Sequence, residues 1–440
     1  MNKIAYATII ILVGSLAFLP ASAGLTTSAP SAPLYRNAGA DSAQQHLQQA
    51  LARFFNMEFE AAIAGFRRAL EISPDLPEAH KYLGVCYVEI GRLDDALASY
   101  RRGLSLEPDD PEMHYFLGLA HLRKGEMEKT VQAYKEALRL APDYADVHFN
   151  LGVVYDQMGR LDEEIESYLK FAALKPESPE VHYNLGVIFG RKGNVEKEIA
   201  SYRRAVELAP RYADAHYNLA VAYGKAGRPN EEIAAYRAAV AVRPEFAEAH
   251  YNLAIALKEK GDLEGAIQEY RAAIAADPED ARSHHNLGVI FGRLGRNEEE
   301  IAEYRKALEI EPDDPDTHYN LGIAYGERGE DDAAVREYQA ALRLRPEHAN
   351  ARHNMGVSYQ RLVRRLATAG DATRLLALVR EIALLREPLT APALREAYTW
   401  ADSRLREATN AGDRGEGARI REEVLQILRR MGALAQLNNP

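Results

Sequence analysis

Residues 179–212 read PEVHYNLGVIFGRKGNVEKEIASYRRAVELAPRY, and the same cadence returns every 34 residues. The string His-Tyr-Asn-Leu stands at 182–185, 216–219, 250–253 and 318–321, with His-Phe-Asn-Leu at 148–151 and His-His-Asn-Leu at 284–287. Within 179–212, His182, Leu185, Gly186 and Phe189 keep the i, i+3, i+4, i+7 spacing of one helix face. Gly193-Asn194 marks a turn. Ile199, Tyr202, Ala205 and Val206 share a face of a second helix, and Pro210 stops it. A lone hairpin of this kind cannot bury its apolar face, whereas a stack of them can. The period therefore predicts an all-α solenoid in which each unit touches its neighbours. Function is then expected on a surface rather than in a catalytic pocket.

Working outward, the period holds from Ala43 to His348, nine units of 34, followed by a tenth first helix over 349–366. The recurring pattern is Leu-Gly, an aromatic three residues on, Ala or a substitute nine beyond, then an aromatic, a small residue and Pro. In 77–110 these are Leu83, Gly84, Tyr87, Ala96, Tyr100, Gly103 and Pro108. In 315–348 they are Leu321, Gly322, Tyr325, Ala334, Tyr338, Ala341 and Pro346. This pattern resembles the tetratricopeptide repeat family over about 43–361. The resemblance implies a right-handed superhelix of helical hairpins whose first helices line a concave, partner-binding groove. Two departures stand out. Gln49-Ala50 replaces Leu-Gly in the first unit, as suits a terminal repeat. Glu164, Glu198, Glu232 and Glu300 replace the usual small residue of the second helix, so each carboxylate must tilt to the rim or find a partner.

The flanks differ from the array. Lys3, the apolar run Ile4–Leu19 and the Ala21-Ser22-Ala23 site read as a signal peptide over 1–23, with Gly24 as the mature start. An uncleaved membrane anchor is the alternative. Residues 24–42, rich in Ala, Ser, Thr, Pro and Gly, read as a flexible tether. After 366 the period is lost, and 371–387, 391–409 and 417–436 read as three further helices. Residues 367–440 are expected to cap the last repeat; the alternative is a docking module centred on Trp400 and Tyr398. The expected location is periplasmic or secreted.

Composition narrows the function classes. A formal charge of −11 argues against nucleic acid as a partner. One cysteine, Cys86, leaves no intramolecular disulfide and no cysteine-based zinc site. Nine histidines, from His46 to His318, fall 34 apart on the Leu-Gly-aromatic face. Successive units stand about 10 Å apart, too far to share an ion, so packed, hydrogen-bonded rings are expected in place of a zinc row. No glycine-rich phosphate loop or nucleophile elbow appears. The expectation is a non-enzymatic protein with no cofactor, no metal and no catalytic residue.

The first-helix face opposite the core carries the more specific signal. A helical wheel puts Asn150, Asn184, Asn218, Asn252, Asn286, Asn320 and Asn354 there in one column. Beside it run Val153, Val187, Val221, Ile255, Val289, Ile323 and Val357, then a mostly basic column of Arg123, Arg191, Lys225, Arg293 and Arg361. Asn and Val are mediocre helix formers, costing about half a kcal/mol each against Ala, and exposed Val gives no folding gain. A carboxamide both donates and accepts, so a column of them can meet the backbone of an extended peptide. This resembles the asparagine ladder of the O-GlcNAc transferase superhelix. Passive copying of the repeat, or Asn bonding between repeats, would produce the same column.

These readings converge on a protein–protein interaction scaffold outside the cytoplasm, binding an extended partner segment in an envelope or export assembly. An accessory repeat subunit of a glycosyltransferase system is the second reading, and a passive spacer the third. About 75 residues after the last repeat helix are too few for a nucleotide-sugar domain, and no βαβ pattern appears. Membrane contact is expected only through an uncleaved N-terminal anchor.

Overall fold

The computed structural model describes residues 38–385, 391–407 and 411–430. The segment expected to be a signal peptide and most of the expected tether lie outside the described residues. Twenty-two helices and no strand are present among them. Each expected hairpin is formed: residues 179–212, for example, hold Pro179–Arg191 and Val195–Leu208. The first helix, Ala38–Phe55, starts upstream of residue 43, and the tenth first helix runs on to Ala369.

Local chemistry sets these boundaries. Pro77, Pro111, Pro179 and Pro315 open first helices, where the missing N–H costs nothing. The Asp110 carboxylate accepts from the Glu112 and Met113 amides and so caps the helix it precedes. The turn between paired helices needs a left-handed residue, and glycine supplies it from Gly91 (φ 79°) to Gly329 (φ 75°). In the first hairpin that place is taken by Met57 at φ 64°.

The chain divides after Val242 into two compact units. In the first, tyrosines of second helices fill the space over the Leu-Gly positions. Tyr100, Tyr134 and Tyr168 are fully buried. A Cβ on Gly186 would stand 2.5 Å from the Tyr202 ring, which is why a small residue is required there.

In the second unit, the last repeats and the C-terminal helices share one core. Tyr338, Met355 and Tyr359 belong to the same cluster as Leu375, Val379, Ile382, Leu394, Ile420 and Val424. Tyr398 and Trp400 pack against that cluster, and the Arg421 guanidinium donates to the Tyr398 hydroxyl at 3.2 Å.

Candidate partner-binding face

The asparagine column is partly consumed by the fold. In the first unit, Nδ2 of Asn150 donates to the Tyr115 hydroxyl at 3.1 Å, and Nδ2 of Asn218 to the Tyr183 hydroxyl at 3.0 Å. In the second, Asn286 donates to Tyr251 at 3.3 Å and Asn354 to Tyr319 at 3.5 Å. Each bond joins a first helix to the first helix of the preceding repeat.

The wheel placed all seven asparagines away from the core, and this needs correction at two of them. Asn150 is 4 % exposed and Asn184 fully buried. The wheel orders side chains about a single helix and omits the neighbouring first helix that closes over them. At Asn184 the tyrosine of the preceding repeat is replaced by Phe149, which has no hydroxyl. Its buried amide faces the Tyr168 hydroxyl in place of a tyrosine from the preceding first helix.

The remaining columns present more surface. In the first unit Val153 is buried, while Val187 and Val221 are half-buried. In the second, Ile255, Val289, Ile323 and Val357 are half-buried, as are Asn252, Asn286, Asn320 and Asn354. Arg191, Lys225 and Arg293 are exposed. Two of these cations reach back to a glutamate of the preceding repeat. Lys225 Nζ lies 2.8 Å from Glu198 Oε1, and Arg191 Nη1 lies 3.6 Å from Glu164 Oε2. Arg191 also bonds Asp156. Glu198 is therefore bonded to its cation, whereas the fully buried Glu164 has only the nearby Arg191 charge and neither of its oxygens is hydrogen-bonded.

The histidine column is structural. The Nε2 edges of His114, His148 and His216 sit 3.0, 2.9 and 3.0 Å from the carbonyls of Pro108, Pro142 and Pro210. Each ring thus ties a first helix to the loop before it. In the second unit His250 and His318 use both nitrogens: Nε2 faces a proline carbonyl, and Nδ1 a carboxylate, Glu269 at 2.6 Å and Glu337 at 2.7 Å. Two acceptors favour the doubly protonated ring, and the bonds to Glu269 and Glu337 raise its proton affinity. The signal that could have exposed these roles was the proline six residues before each histidine.

One consequence of the first turn was missed in the sequence. Phe55 and Met57 are both 63 % exposed, where later repeats carry charged residues or Gln157, and glycine.

Comparison with known proteins agrees with this architecture. Models described as tetratricopeptide repeat match residues 34–111, 87–145, 128–179, 213–246 and 235–268. A TPR repeat model matches 191–227, 256–295, 293–329 and 324–363. No curated protein matches this chain. Among solved structures, the C-terminal part of a TPR repeat-containing protein from Cytophaga hutchinsonii is 19 % identical, covering 54 % of this chain and 97 % of its own, with a TM-score of 0.50. The MamA protein is 27 % identical over 40 % of this chain and 95 % of its own, at a TM-score of 0.37. YrrB, described as a TPR protein with an unusual peptide-binding site, is 18 % identical over 50 % of this chain and 96 % of its own, at 0.33. Repeats of this kind bind protein or peptide partners, and an array of them is an interaction scaffold. With repeat models matching from residue 34 to residue 363, this chain belongs to the tetratricopeptide repeat family.

Proposed function

We propose that the chain is an exported scaffold whose first-helix face holds an extended segment of a partner in an envelope or export assembly. The observation that carries this is the row of β-branched residues left half-buried in each unit: Val187 and Val221 in the first, Ile255, Val289, Ile323 and Val357 in the second. Such residues add little to helix stability, and their exposed apolar area is recovered only when a partner covers it. Asn218 and Asn354 spend their N–H on tyrosine, which leaves each carbonyl oxygen to accept from a backbone N–H of that segment. Asn320 lies half-buried in the same column, whereas the Asn286 oxygen already accepts from Lys258 Nζ at 3.1 Å. Asn150 contributes through the fold, and the fully buried Asn184 is out of reach of a partner.

A photo-crosslinking residue at Val221 or Val289 tests this in cells. Both positions should give discrete adducts, while Arg203, exposed on a second helix, should give none. Equal yields from all three sites would remove the face from consideration.

A further inference from the structure

One position of the second helix alternates between a small residue and glutamate. Where glutamate stands opposite a glycine of its paired first helix, the carboxylate fills the notch left by the missing side chain. A Cβ on Gly190 would lie 2.7 Å from Glu198 Oε1, and one on Gly292 would lie 2.6 Å from Glu300 Oε1. The first unit shows what such a carboxylate requires. Lys225, 27 residues after Glu198, bonds it at 2.8 Å. Arg191 stands in the same relation to Glu164, at 3.6 Å.

In the second unit the corresponding residue for Glu300 is Glu327. Glu300 is 6 % exposed, and its Oε2, like that of Glu198, has no hydrogen-bond partner; the difference is that no cation stands at the residue 27 positions on. Burial and the facing Glu327 charge push its carboxyl up to about 7. A buried carboxylate without a counter-charge is costly, and here it is held where its counterpart Glu198 has a bound ammonium.

We propose that Glu300 and Glu327 form a receptor site for one cationic side chain, lysine or arginine, carried by the partner segment. The incoming ammonium or guanidinium would occupy the place that Lys225 fills beside Glu198. Exposed Glu327 opens the site toward the first-helix face, and Val289 and Ile323 flank it on neighbouring columns. A side chain is the better occupant than a metal ion: the equivalent sites take organic cations, and no cluster of three His, Cys, Asp or Glu that could hold a metal occurs among the described residues. This inference rests on the first-helix face being the binding face.

A random peptide library displayed on phage, panned against the full chain, tests it together with two variants. The full chain should enrich peptides with a basic residue at one fixed place. Glu327→Lys, which supplies the missing cation internally, should bind those peptides about tenfold more weakly or worse, the loss of a charge-assisted contact. It should also melt higher than the parent at pH 8, and that gain should vanish when Glu300→Gln is added. Glu298→Lys, an exposed site with the same change of charge, should leave binding unaltered. Peptides without a basic residue that bind the parent and Glu327→Lys alike would overturn the receptor site and leave the groove standing. If no recovered peptide is displaced by Val289→Lys, the binding face and the receptor site fall together. A Glu327→Lys chain that melts no higher would show that the two glutamates do not share a site.

Discussion

Nδ2 of Asn218 donates to the hydroxyl of Tyr183 at 3.0 Å, and the two residues are 35 apart, one repeat and one residue. The contact ties neighbouring first helices side chain to side chain. It gives the asparagine column a folding role beside any recognition role, and the two can be separated by substitution.

Asn218→Ala should lower stability by roughly 0.5–1.5 kcal/mol, the usual net value of one hydrogen bond. Asn184→Ala should cost less, because Phe149 denies its amide the tyrosine bond that Asn218 makes and Ala is the better helix former. Phe149→Tyr should raise stability by supplying the absent hydroxyl. Urea melts of the three variants check this set; a stabilising Asn218→Ala would refute the tie.

Gly186→Leu drives a side chain into the Tyr202 ring, where even a Cβ would stand at 2.5 Å. The cost should reach about 3 kcal/mol or more, the upper range for overpacked cores. Because repeats couple to nearest neighbours, hydrogen exchange should rise first in residues 145–246. Uniform loss of protection along the chain would contradict that coupling.

Glu164 and Glu300 have carboxyls lifted from near 4.5 to about 7, chiefly by burial, with Asp156 and Glu327 adding to the effect. Their folded forms hold the proton more tightly than the unfolded chain does. Each therefore makes stability fall as pH rises from about 4.5 to 7, and the loss persists above that range. Glu300→Gln should match the parent near pH 4 and exceed it at pH 8 in thermal melts. A parent that outlasts the variant at pH 8 would reverse the assignment.

Met57 holds φ 64° in the turn where its counterparts are glycine. Left-handed backbone costs a side-chain-bearing residue about 1–2 kcal/mol, partly offset by the greater freedom of glycine when unfolded. Met57→Gly should stabilise the first hairpin by roughly 0.5–1 kcal/mol. Amide exchange in residues 45–70 reads the effect locally, and faster exchange there would count against it.

Export with cleavage after Ala23 predicts that the mature protein begins Gly24-Leu25-Thr26. N-terminal sequencing of the envelope fraction decides it. A product that retains Met1 and partitions with membranes would point to an anchor.

The hairpins were legible because a strict period repeats the same few decisions: Leu185 and Gly186 inward, glycine in the turn, proline at the stop. The histidine role was legible too, since a ring on the core face has to bond something. The partner of each asparagine was not. A wheel describes one helix, whereas Tyr183 and Asn218 meet across two, and nothing within a single repeat records that meeting. The trace lay in a spacing of 35, with Tyr115, Tyr183, Tyr251 and Tyr319 each preceding an asparagine and Phe149 and His285 breaking the series. The site at Glu300 was half legible. Its burden as a carboxylate in a small-residue position was plain, but the identity of the residue meant to neutralise it depended on which neighbour reached back.

The tie between Tyr183 and Asn218 also bears on how such an array grows. Because its two ends lie in adjacent copies at a constant offset, excising residues 213–246 would bring Asn252 to the same offset from Tyr183 that Asn218 now has. Inserting a copy likewise brings one new donor and one new acceptor. Array length can therefore change by whole units without leaving a seam, whereas at Phe149 and Asn184 one half of the bond is absent.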